Sequence, residues 1–305
     1  MQQNKYSVLV LGVSGMLGHK VFEVLSKEKI LDVWGTVTKL EKYESIIPSE
    51  YHKKIKSNVY ADDINSVEKV IKEIQPREII NCIGVIKQNK KSHDVAQMIV
   101  LNALFPQQLA ALADKYSARV ITIATDCVFD GTKVGKYQES DLPTAHDAYG
   151  MTKYLGELHE GKHITLRTSI IGHELDSNLS LLDWFLNAPG ETLKGYTKAI
   201  FSGLTTLELA RFLVKYILGN DKYKGLYHLS VNAISKHDLL GIIARVYKKN
   251  VRLEADESIN INRALDSTRL RKETGYKVPE WEDLITQMYQ DYQLSPFYNY
   301  KKNNK

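Results

Sequence analysis

The sequence predicts an α/β fold in which a doubly wound parallel sheet carries a smaller α/β lobe. Short apolar runs alternate with amphipathic helical patterns through the first half of the chain, as repeated β-α-β units require. The first run, at residues 8–11, is apolar without alternation, which is typical of a parallel strand covered on both faces. Three regularly spaced glycines follow this run, where the strand passes into a helical pattern. Together these observations indicate a Rossmann sheet that binds a nucleotide cofactor.

Hydrophobic periodicity predicts the elements in chain order. Apolar runs of strand length predict strands at residues 6–11, 33–37, 58–60, 79–83, 120–124 and 164–171. Helical spacing predicts helices at residues 17–25, 64–74, 95–116 and 148–160. The second half is less regular, with a strand-like run at 226–230 and helical patterns at 207–218, 236–247 and 281–292. We therefore expect a cofactor domain at 1–172 and a mainly substrate-binding lobe at 173–305, from which some segments return to the first domain.

The composition is that of a soluble globular protein. The 305 residues are 43% hydrophobic and 25% charged, and no apolar run approaches about 18 residues. The chain shows no basic-then-apolar signal segment, so we expect a cytoplasmic protein without a membrane partner. The net charge of +5 comes without a basic stripe interleaved with aromatic residues, which argues against nucleic acid binding. Cys82 and Cys127 lie in or beside apolar runs and are expected to be small buried side chains, not metal ligands.

The glycines after the first strand follow the pattern Gly-x-x-Gly-x-x-Gly. Without side chains, they let backbone N–H groups and the helix N-terminus approach a pyrophosphate. The alternative is a tight strand-to-helix turn that binds nothing. The cofactor-binding residues predicted in this loop are Gly12, Ser14, Gly15, Met16, Leu17 and Gly18.

The end of the second strand indicates which cofactor is bound. An NAD enzyme usually carries a carboxylate there, which accepts hydrogen bonds from the ribose 2′-hydroxyl. This chain instead has Thr38 and Lys39, which suit a 2′-phosphate and favour NADP(H). Asp63 and Ile64, after the third strand, are candidates for contact with the adenine amino group, with an ordinary surface aspartate as the alternative.

Tyr149 and Lys153 form a Tyr-x-x-x-Lys pattern on a predicted helix. Residues four apart share a helix face, so the Lys153 ammonium is expected to lie beside the Tyr149 phenol and lower its pKa, which makes the phenol a proton donor. The pattern is common on ordinary amphipathic helices. Its place after Thr125 and after the glycine loop favours the catalytic interpretation.

The run from His159 to His163 matches the zinc-hydrolase pattern His-Glu-x-x-His. That pattern requires both histidines on one continuous helix. Gly161 is expected to end the helix before a strand begins at residue 164, which turns the two histidines apart. The sequence therefore argues against a metal site here.

Taken together, these motifs resemble the extended short-chain dehydrogenase/reductase family over nearly the whole chain. The matching positions are the glycine loop, Asp63-Ile64, Asn81-Cys82-Ile83-Gly84, Asn102, Thr125-Asp126 and Tyr149-x-x-x-Lys153. The segments 125–131 and 166–169, with residues 263–270 and Trp281, are similar to the dTDP-4-dehydrorhamnose reductase subgroup. This chain departs from that subgroup at two positions, with Ala124 in place of serine and Cys127 in place of tyrosine. These departures weaken the inference that the substrate is the precursor of dTDP-rhamnose, but Thr125, Tyr149 and Lys153 are all present.

The resemblance implies an enzyme that binds a 4-keto-6-deoxy nucleotide sugar and transfers a hydride to C4. Tyr149 would donate the proton, Thr125 would hydrogen-bond the carbonyl oxygen, and Lys153 would also hold the nicotinamide ribose. Further cofactor contacts implied by the resemblance are Cys82, Gly84 and Asn102. The implied substrate contacts, each with a packing or surface role as the alternative, are Lys87, Asn178, Trp184, Phe201 and Arg263.

Several functions remain open at this stage. Related dehydratases carry a glutamate at the position of Cys127, which cannot readily abstract a C5 proton, so dehydration is disfavoured. The same fold also suits an epimerase that recycles tightly bound NAD. It suits equally a noncatalytic NADP-binding subunit like the regulatory subunit of methionine adenosyltransferase. The segments 166–175 and 194–203 look closer to reductases of UDP-linked 2-acetamido-4-keto-2,6-dideoxyhexoses, which serve surface polysaccharide synthesis. The oligomeric state stays open, and a homodimer is one possibility.

Overall fold

The computed structural model describes residues 6–85 and 94–303. The strands are β1 (Tyr6–Leu11), β2 (Leu31–Thr36), β3 (Ile55–Lys56), β4 (Glu78–Asn81), β5 (Arg119–Thr125), β6 (Ile164–Thr168), β7 (Ile170–Ile171), β8 (Thr192–Tyr196), β9 (Ala199–Phe201), β10 (Leu204–Thr205), β11 (Gly225–His228), β12 (Ile234–Ser235), β13 (Arg252–Asp256) and β14 (Ile261–Asn262). The α-helices are α1 (Met16–Ser26), α2 (Ile64–Ile74), α3 (Val95–Met98), α4 (Phe105–Lys115), α5 (Ala148–Leu155), α6 (Leu181–Asn187), α7 (Thr206–Phe212), α8 (Lys236–Val246), α9 (Thr268–Thr274), α10 (Trp281–Leu294) and α11 (Asn299–Asn303).

A seven-stranded parallel sheet organises the molecule, in the order β11-β6-β5-β4-β1-β2-β3. The α/β prediction is therefore confirmed. The chain order reverses between β1 and β4, and ligands of such sheets bind beyond the carboxyl ends of the strands at that point. The glycine loop follows β1, so it lies at this crevice.

Helices cover both faces of the sheet. Val8 and Val10 of β1 pack into one core with residues of α1, α7 and α10, and Leu9 and Leu11 pack into a second core with residues of α2 and α4. This two-sided burial is why residues 8–11 of the strand are apolar without alternation. The second half of the chain contributes β11 to the large sheet and also forms three small sheets, β10-β7, β12-β9-β14 and β13-β8.

Three predicted elements differ from the structure. The third strand lies at Ile55–Lys56 and not at 58–60, where Asn58 takes a left-handed conformation with φ 61° that is incompatible with an extended strand. The helix predicted at 148–160 ends at Leu155, because the chain turns at Gly156 where it meets the carbonyl of Asn102. The predicted strand at 164–171 divides into β6 and β7.

The early end of α5 bears directly on the zinc pattern. His159 lies beyond the helix, and the His163 ring accepts a hydrogen bond at Nδ1 from the Val120 N–H at 3.0 Å. The two histidines therefore do not project from one helix. In the described part of the chain, no cluster of three or more His, Cys, Asp or Glu side chains is arranged to hold a metal ion.

The helical stretch Val95–Lys115 is long and apolar enough to cross a membrane by length and composition alone. It comprises α3, a π-helical turn at Ile99–Leu104 and α4. Its inward side packs against the sheet and α5, and 44% of its most apolar 18-residue stretch is buried. The π-helical turn carries Asn102 and is the point where this helix meets α5.

Candidate active site

The glycine loop is built so that strand β1 and helix α1 approach without side chains between them. Gly12 has φ 83°, and a Cβ there would lie 2.9 Å from Cγ1 of Ile83. A Cβ on Gly18 would lie 2.0 Å from the Gly12 carbonyl oxygen, so no other residue fits without moving the backbone. The Gly12 N–H donates to Oγ1 of Thr36 at 3.2 Å, which ties the loop to the end of β2.

The N-terminus of α1 suits a pyrophosphate. Gly15 is the N-cap residue and provides no side-chain cap for the N–H groups of the first turn, and it is exposed. A helix N-terminus with uncapped N–H groups attracts an anion. Ser14 and Met16 are half-buried, whereas the Leu17 side chain is buried in the core, so any cofactor contact of Leu17 would come from its backbone.

The loop after β2 presents Thr38 and Lys39, both of which are exposed. The Thr38 carbonyl accepts from the Asn58 N–H at 3.1 Å, which holds this loop against the chain after β3. Asp63 caps α2 by accepting from the Asn65 N–H at 3.1 Å, which gives its carboxylate a structural task beside the one predicted from the sequence. Ile64 begins that helix.

Thr125 and Tyr149 meet at the carboxyl end of β5. The Thr125 side chain lies beside the Tyr149 phenol and acts to lower its pKa, and Oγ1 of Thr125 accepts from the Cys127 N–H at 3.1 Å. Gly150 permits this approach, because a Cβ there would lie 2.3 Å from the Cys127 carbonyl oxygen. The Asp147 side chain caps α5 by accepting from the Gly150 N–H at 2.8 Å.

The expected electrostatics of Tyr149 and Lys153 need correction. Burial raises the pKa of Tyr149, and the neighbouring Cys127 and Asp126 add to that effect. The Lys153 ammonium donates to the Ile123 carbonyl at 2.9 Å, and burial lowers the pKa of Lys153 to about 8. The expected net lowering of the Tyr149 pKa is wrong for this arrangement, because desolvation is the largest effect on both groups. The phenol is therefore fully protonated at neutral pH, as a proton donor must be.

Asn102 links the end of β4 to α5. Its Oδ1 accepts from the Val85 N–H at 2.9 Å, and its Nδ2 donates to Oγ1 of Thr152 at 3.4 Å. A Cβ on Gly84 would lie 3.1 Å from Oδ1 of Asn102 and 3.8 Å from Nζ of Lys153. Gly84 and Asn102 thus lie beside Lys153. Cys82 lies at the same edge, and burial raises the pKa of its thiol to about 12.

Arg263 reaches the same segment from the second half of the chain. Its Nε donates to the Phe129 carbonyl at 2.6 Å, and its Nη1 donates to Sγ of Cys127 at 3.5 Å. Burial raises the pKa of the neighbouring Asp126 carboxyl, and the positive charge of Arg263 acts in the opposite direction. The sequence patterns assign Asp126 no task of its own. In the structure Oδ1 of Asp126 accepts from Oγ1 of Thr125 at 3.3 Å, and Cys127 and Ser169 act to lower the pKa of the Asp126 carboxyl.

For the remaining predicted substrate contacts, the structure shows no contact with Thr125, Tyr149 or Lys153 among the described residues. Asn178 is exposed, and its Oδ1 accepts from Nδ2 of Asn187 at 3.3 Å. Trp184 on α6 is 45% exposed. Phe201 is buried against Trp281, with ring centroids 5.4 Å apart, so packing accounts for it. Lys87 lies outside the described residues.

Known proteins resemble this chain in sequence and in fold. The RmlD substrate binding domain family matches residues 6–294. A dTDP-4-dehydrorhamnose reductase from Aggregatibacter actinomycetemcomitans is 26% identical over 243 residues, which cover 71% of this chain and 81% of that protein. A dTDP-4-dehydrorhamnose reductase from Bacillus anthracis, crystallised with NADP, superposes with a TM-score of 0.78 at 22% identity and covers 94% of this chain and 99% of that one. The Bordetella bronchiseptica enzyme WbmG, crystallised with NAD and UDP, superposes with a TM-score of 0.77 at 16% identity over 95% and 96% of the two chains.

Proposed function

The chain belongs to the RmlD substrate binding domain family, and from that premise we propose that it is an NADPH-dependent oxidoreductase that reduces the 4-keto group of a nucleotide-linked 4-keto-6-deoxy sugar. The observation that carries this proposal is the placement of the Thr125 hydroxyl and the Tyr149 phenol beside each other at the carboxyl end of the sheet. Two hydroxyl donors there suit a carbonyl oxygen that becomes an alkoxide.

Tyr149, Thr125 and Lys153 have separate roles in proton transfer. Tyr149 donates its phenolic proton to the developing alkoxide, and Thr125 supplies a second hydrogen bond to the same oxygen. Lys153 places a positive charge at the carboxyl end of β5, where it stabilises the phenolate that remains after the transfer. The α5 cap at Asp147 and the close approach at Gly150 hold Tyr149 against Thr125.

NADP(H) fits the residues at the crevice. The uncapped N-terminus of α1 and the side-chain-free contact between Gly12 and Gly18 suit a pyrophosphate, and Lys39 suits a 2′-phosphate. When bound, NADPH would supply the hydride for C4. The Bacillus anthracis relative contains NADP, which supports this assignment.

For the substrate we propose UDP-2-acetamido-4-keto-2,6-dideoxyhexose, reduced for surface polysaccharide synthesis. The resemblance of segments 166–175 and 194–203 to reductases of such sugars supports this choice, as does the UDP in the crystal structure of WbmG. Arg263 lies beside Cys127 and Asp126, where a guanidinium can bind a diphosphate. The name of the Aggregatibacter relative favours the second candidate, reduction of the dTDP-linked 4-keto sugar.

A comparison of substrates tests the proposal. The enzyme is incubated with NADPH and UDP-, dTDP- and GDP-linked 4-keto-6-deoxy sugars, and NADPH oxidation and the sugar product are followed. We expect the UDP-linked 2-acetamido sugar to be reduced with the highest kcat/KM. Faster reduction of the dTDP-linked sugar would refute the UDP assignment and leave the reductase. No oxidation with any keto sugar would instead favour the noncatalytic NADP-binding subunit.

A further inference from the structure

The only proton of the Thr125 hydroxyl is already in use in the structure. Oγ1 of Thr125 accepts from the Cys127 N–H at 3.1 Å and donates to Oδ1 of Asp126 at 3.3 Å. The first of these contacts caps the short turn Asp126–Val128 and so holds Thr125 in place at the end of β5. A hydroxyl carries one proton and two lone pairs. The proton of Thr125 therefore points to Asp126, and not to a carbonyl oxygen beside Tyr149.

Thr125 can become a donor to the substrate in two ways. It can break its contact with Asp126, which would leave a buried carboxylate without that donor and costs free energy. The contact can instead reverse, if Asp126 is a neutral carboxyl whose O–H donates to Oγ1 of Thr125. Both lone pairs of Thr125 then accept, one from Asp126 and one from the Cys127 N–H, and the hydroxyl proton is left for the carbonyl oxygen. The reversed arrangement satisfies all of these groups at once.

The position of Asp126 disfavours a carboxylate. Its side chain is 5% exposed. The buried carboxylates of Glu23, Glu78 and Glu157 each lie within 3.0 Å of a lysine or arginine nitrogen. Asp126 forms no such ion pair with any residue in the parts of the chain that the structure describes. A buried carboxyl without a paired cation favours its neutral form.

The groups that act on Asp126 are Thr125, Cys127, Ser169 and Arg263, and Asp126 in turn acts on the Tyr149 phenol. Burial raises the pKa of the Asp126 carboxyl, and this effect exceeds the lowering by those four groups. The Arg263 guanidinium donates to other groups, namely Sγ of Cys127 and the Phe129 carbonyl. The Cys127 thiol is neutral, because burial raises its pKa to about 12. Since Asp126 acts to raise the pKa of Tyr149, an ionised Asp126 would oppose the loss of the phenolic proton.

We propose that Asp126 is a positioning residue whose neutral carboxyl donates a hydrogen bond to Thr125 and thereby turns the Thr125 hydroxyl toward the carbonyl oxygen of the sugar. The proposal rests on the reductase function given above. The Asp126 proton stays on Asp126 throughout, and the proton that is transferred comes from Tyr149. A carboxylate at this position would instead hold the Thr125 proton and place negative charge near the developing alkoxide.

The first test is the protonation state of Asp126, read from carboxyl chemical shifts in ¹³C-aspartate-labelled protein with NADPH bound. Asp126→Asn assigns the resonance, and Thr125→Val, which should shift it, assigns it if Asp126→Asn does not fold. We expect Asp126 to be protonated at pH 7 and to titrate above it. Asp183 is the internal reference, because it is also buried but accepts from Nζ of Lys301 at 3.1 Å and should be ionised at pH 7. An ionised Asp126 at pH 7 would overturn the proposal.

Kinetics provides the second readout. The side-chain amide of Asp126→Asn can donate to Thr125 at every pH, as the neutral carboxyl does. The ratio of kcat/KM between Asp126→Asn and wild type should therefore be near one below the Asp126 midpoint measured by NMR. One pH unit above that midpoint, about a tenth of wild-type Asp126 is still protonated, so the ratio should reach about tenfold. The titration of Lys153, whose pKa burial lowers to about 8, affects both proteins alike and cancels in the ratio.

Two controls separate positioning from stability. In a Thr125→Val background the same ratio should stay near one at every pH, because no hydroxyl is left to orient. Glu78→Gln removes a buried carboxylate that pairs with Arg119 at 3.0 Å at the amino ends of β4 and β5, and its kcat/KM relative to wild type should not change with pH.

A ratio for Asp126→Asn that is constant with pH, or a rise that persists in Thr125→Val, would overturn the proposal. The NMR titration needs no sugar. A neutral Asp126 in a protein that reduces no keto sugar would thus refute the reductase function and leave the protonation of Asp126 standing.

Discussion

Replacing Tyr149 by phenylalanine isolates the proton donor. The ring remains, and Thr125 keeps its contacts with the Cys127 N–H and with Oδ1 of Asp126, at 3.1 and 3.3 Å, so no buried polar group loses all of its partners. The variant should fold normally, and its NADPH affinity should be nearly unchanged because the glycine loop is untouched. The reaction loses its acid, so kcat should fall about 10²-fold or more, which corresponds to about 3 kcal/mol in the barrier.

The assay is steady-state NADPH oxidation with the preferred keto sugar, together with a fluorescence titration of NADPH binding. Tyr154→Phe is the matched control, because Tyr154 lies on the same helix and is 38% exposed. It should keep wild-type kcat. If Tyr149→Phe retains most of its activity, or if Tyr154→Phe is equally impaired, Tyr149 is not the proton donor.

Three further substitutions probe the cofactor and substrate contacts. Lys39→Asp should move preference from NADPH toward NADH by about 1 to 3 kcal/mol through charge repulsion, and an unchanged ratio of kcat/KM for the two cofactors would place the 2′-phosphate elsewhere. Arg263→Ala should raise KM by about 10-fold or more for every nucleotide sugar and change kcat less, whereas an effect on kcat alone would contradict diphosphate binding. Gly18→Ala places a Cβ 2.0 Å from the Gly12 carbonyl and should weaken NADPH binding about tenfold or more and lower Tm, while Gly241→Ala, whose Cβ meets nothing closer than 4.0 Å, should do neither.

Local patterns predicted the parts of the site that local chemistry determines. The close approach of β1 and α1 requires Gly12 and Gly18, and Tyr149 lies on a helix that the sequence predicts. The predicted position of the third strand is wrong, because the apolar residue Val59 is buried next to the strand and not in it. Burial alone does not distinguish a two-residue strand from the turn that follows it.

The electrostatics could not be predicted in the same way. The pKa of Lys153 depends on how far the group is withdrawn from water and on Glu157, whose carboxylate accepts a hydrogen bond from Arg167 of β6 at 2.6 Å. The sequence places Glu157 only as a polar residue near the end of a predicted helix that is longer than α5. The contact of Arg263 with Cys127 likewise joins residues far apart in the chain, and the resemblance to a family, not the residue pattern, placed Arg263 at the site.

The most direct test of the reductase is a single progress curve. Purified protein is mixed with NADPH and UDP-4-keto-6-deoxy-N-acetylglucosamine, with Tyr149→Phe in parallel, and the sugar product is identified by NMR. We expect NADPH oxidation that matches the formation of a UDP-6-deoxy-N-acetylhexosamine mole for mole, and almost none in the variant. Absence of NADPH oxidation with this sugar and with its dTDP-linked counterpart, in a protein that binds NADPH, would contradict the reductase function.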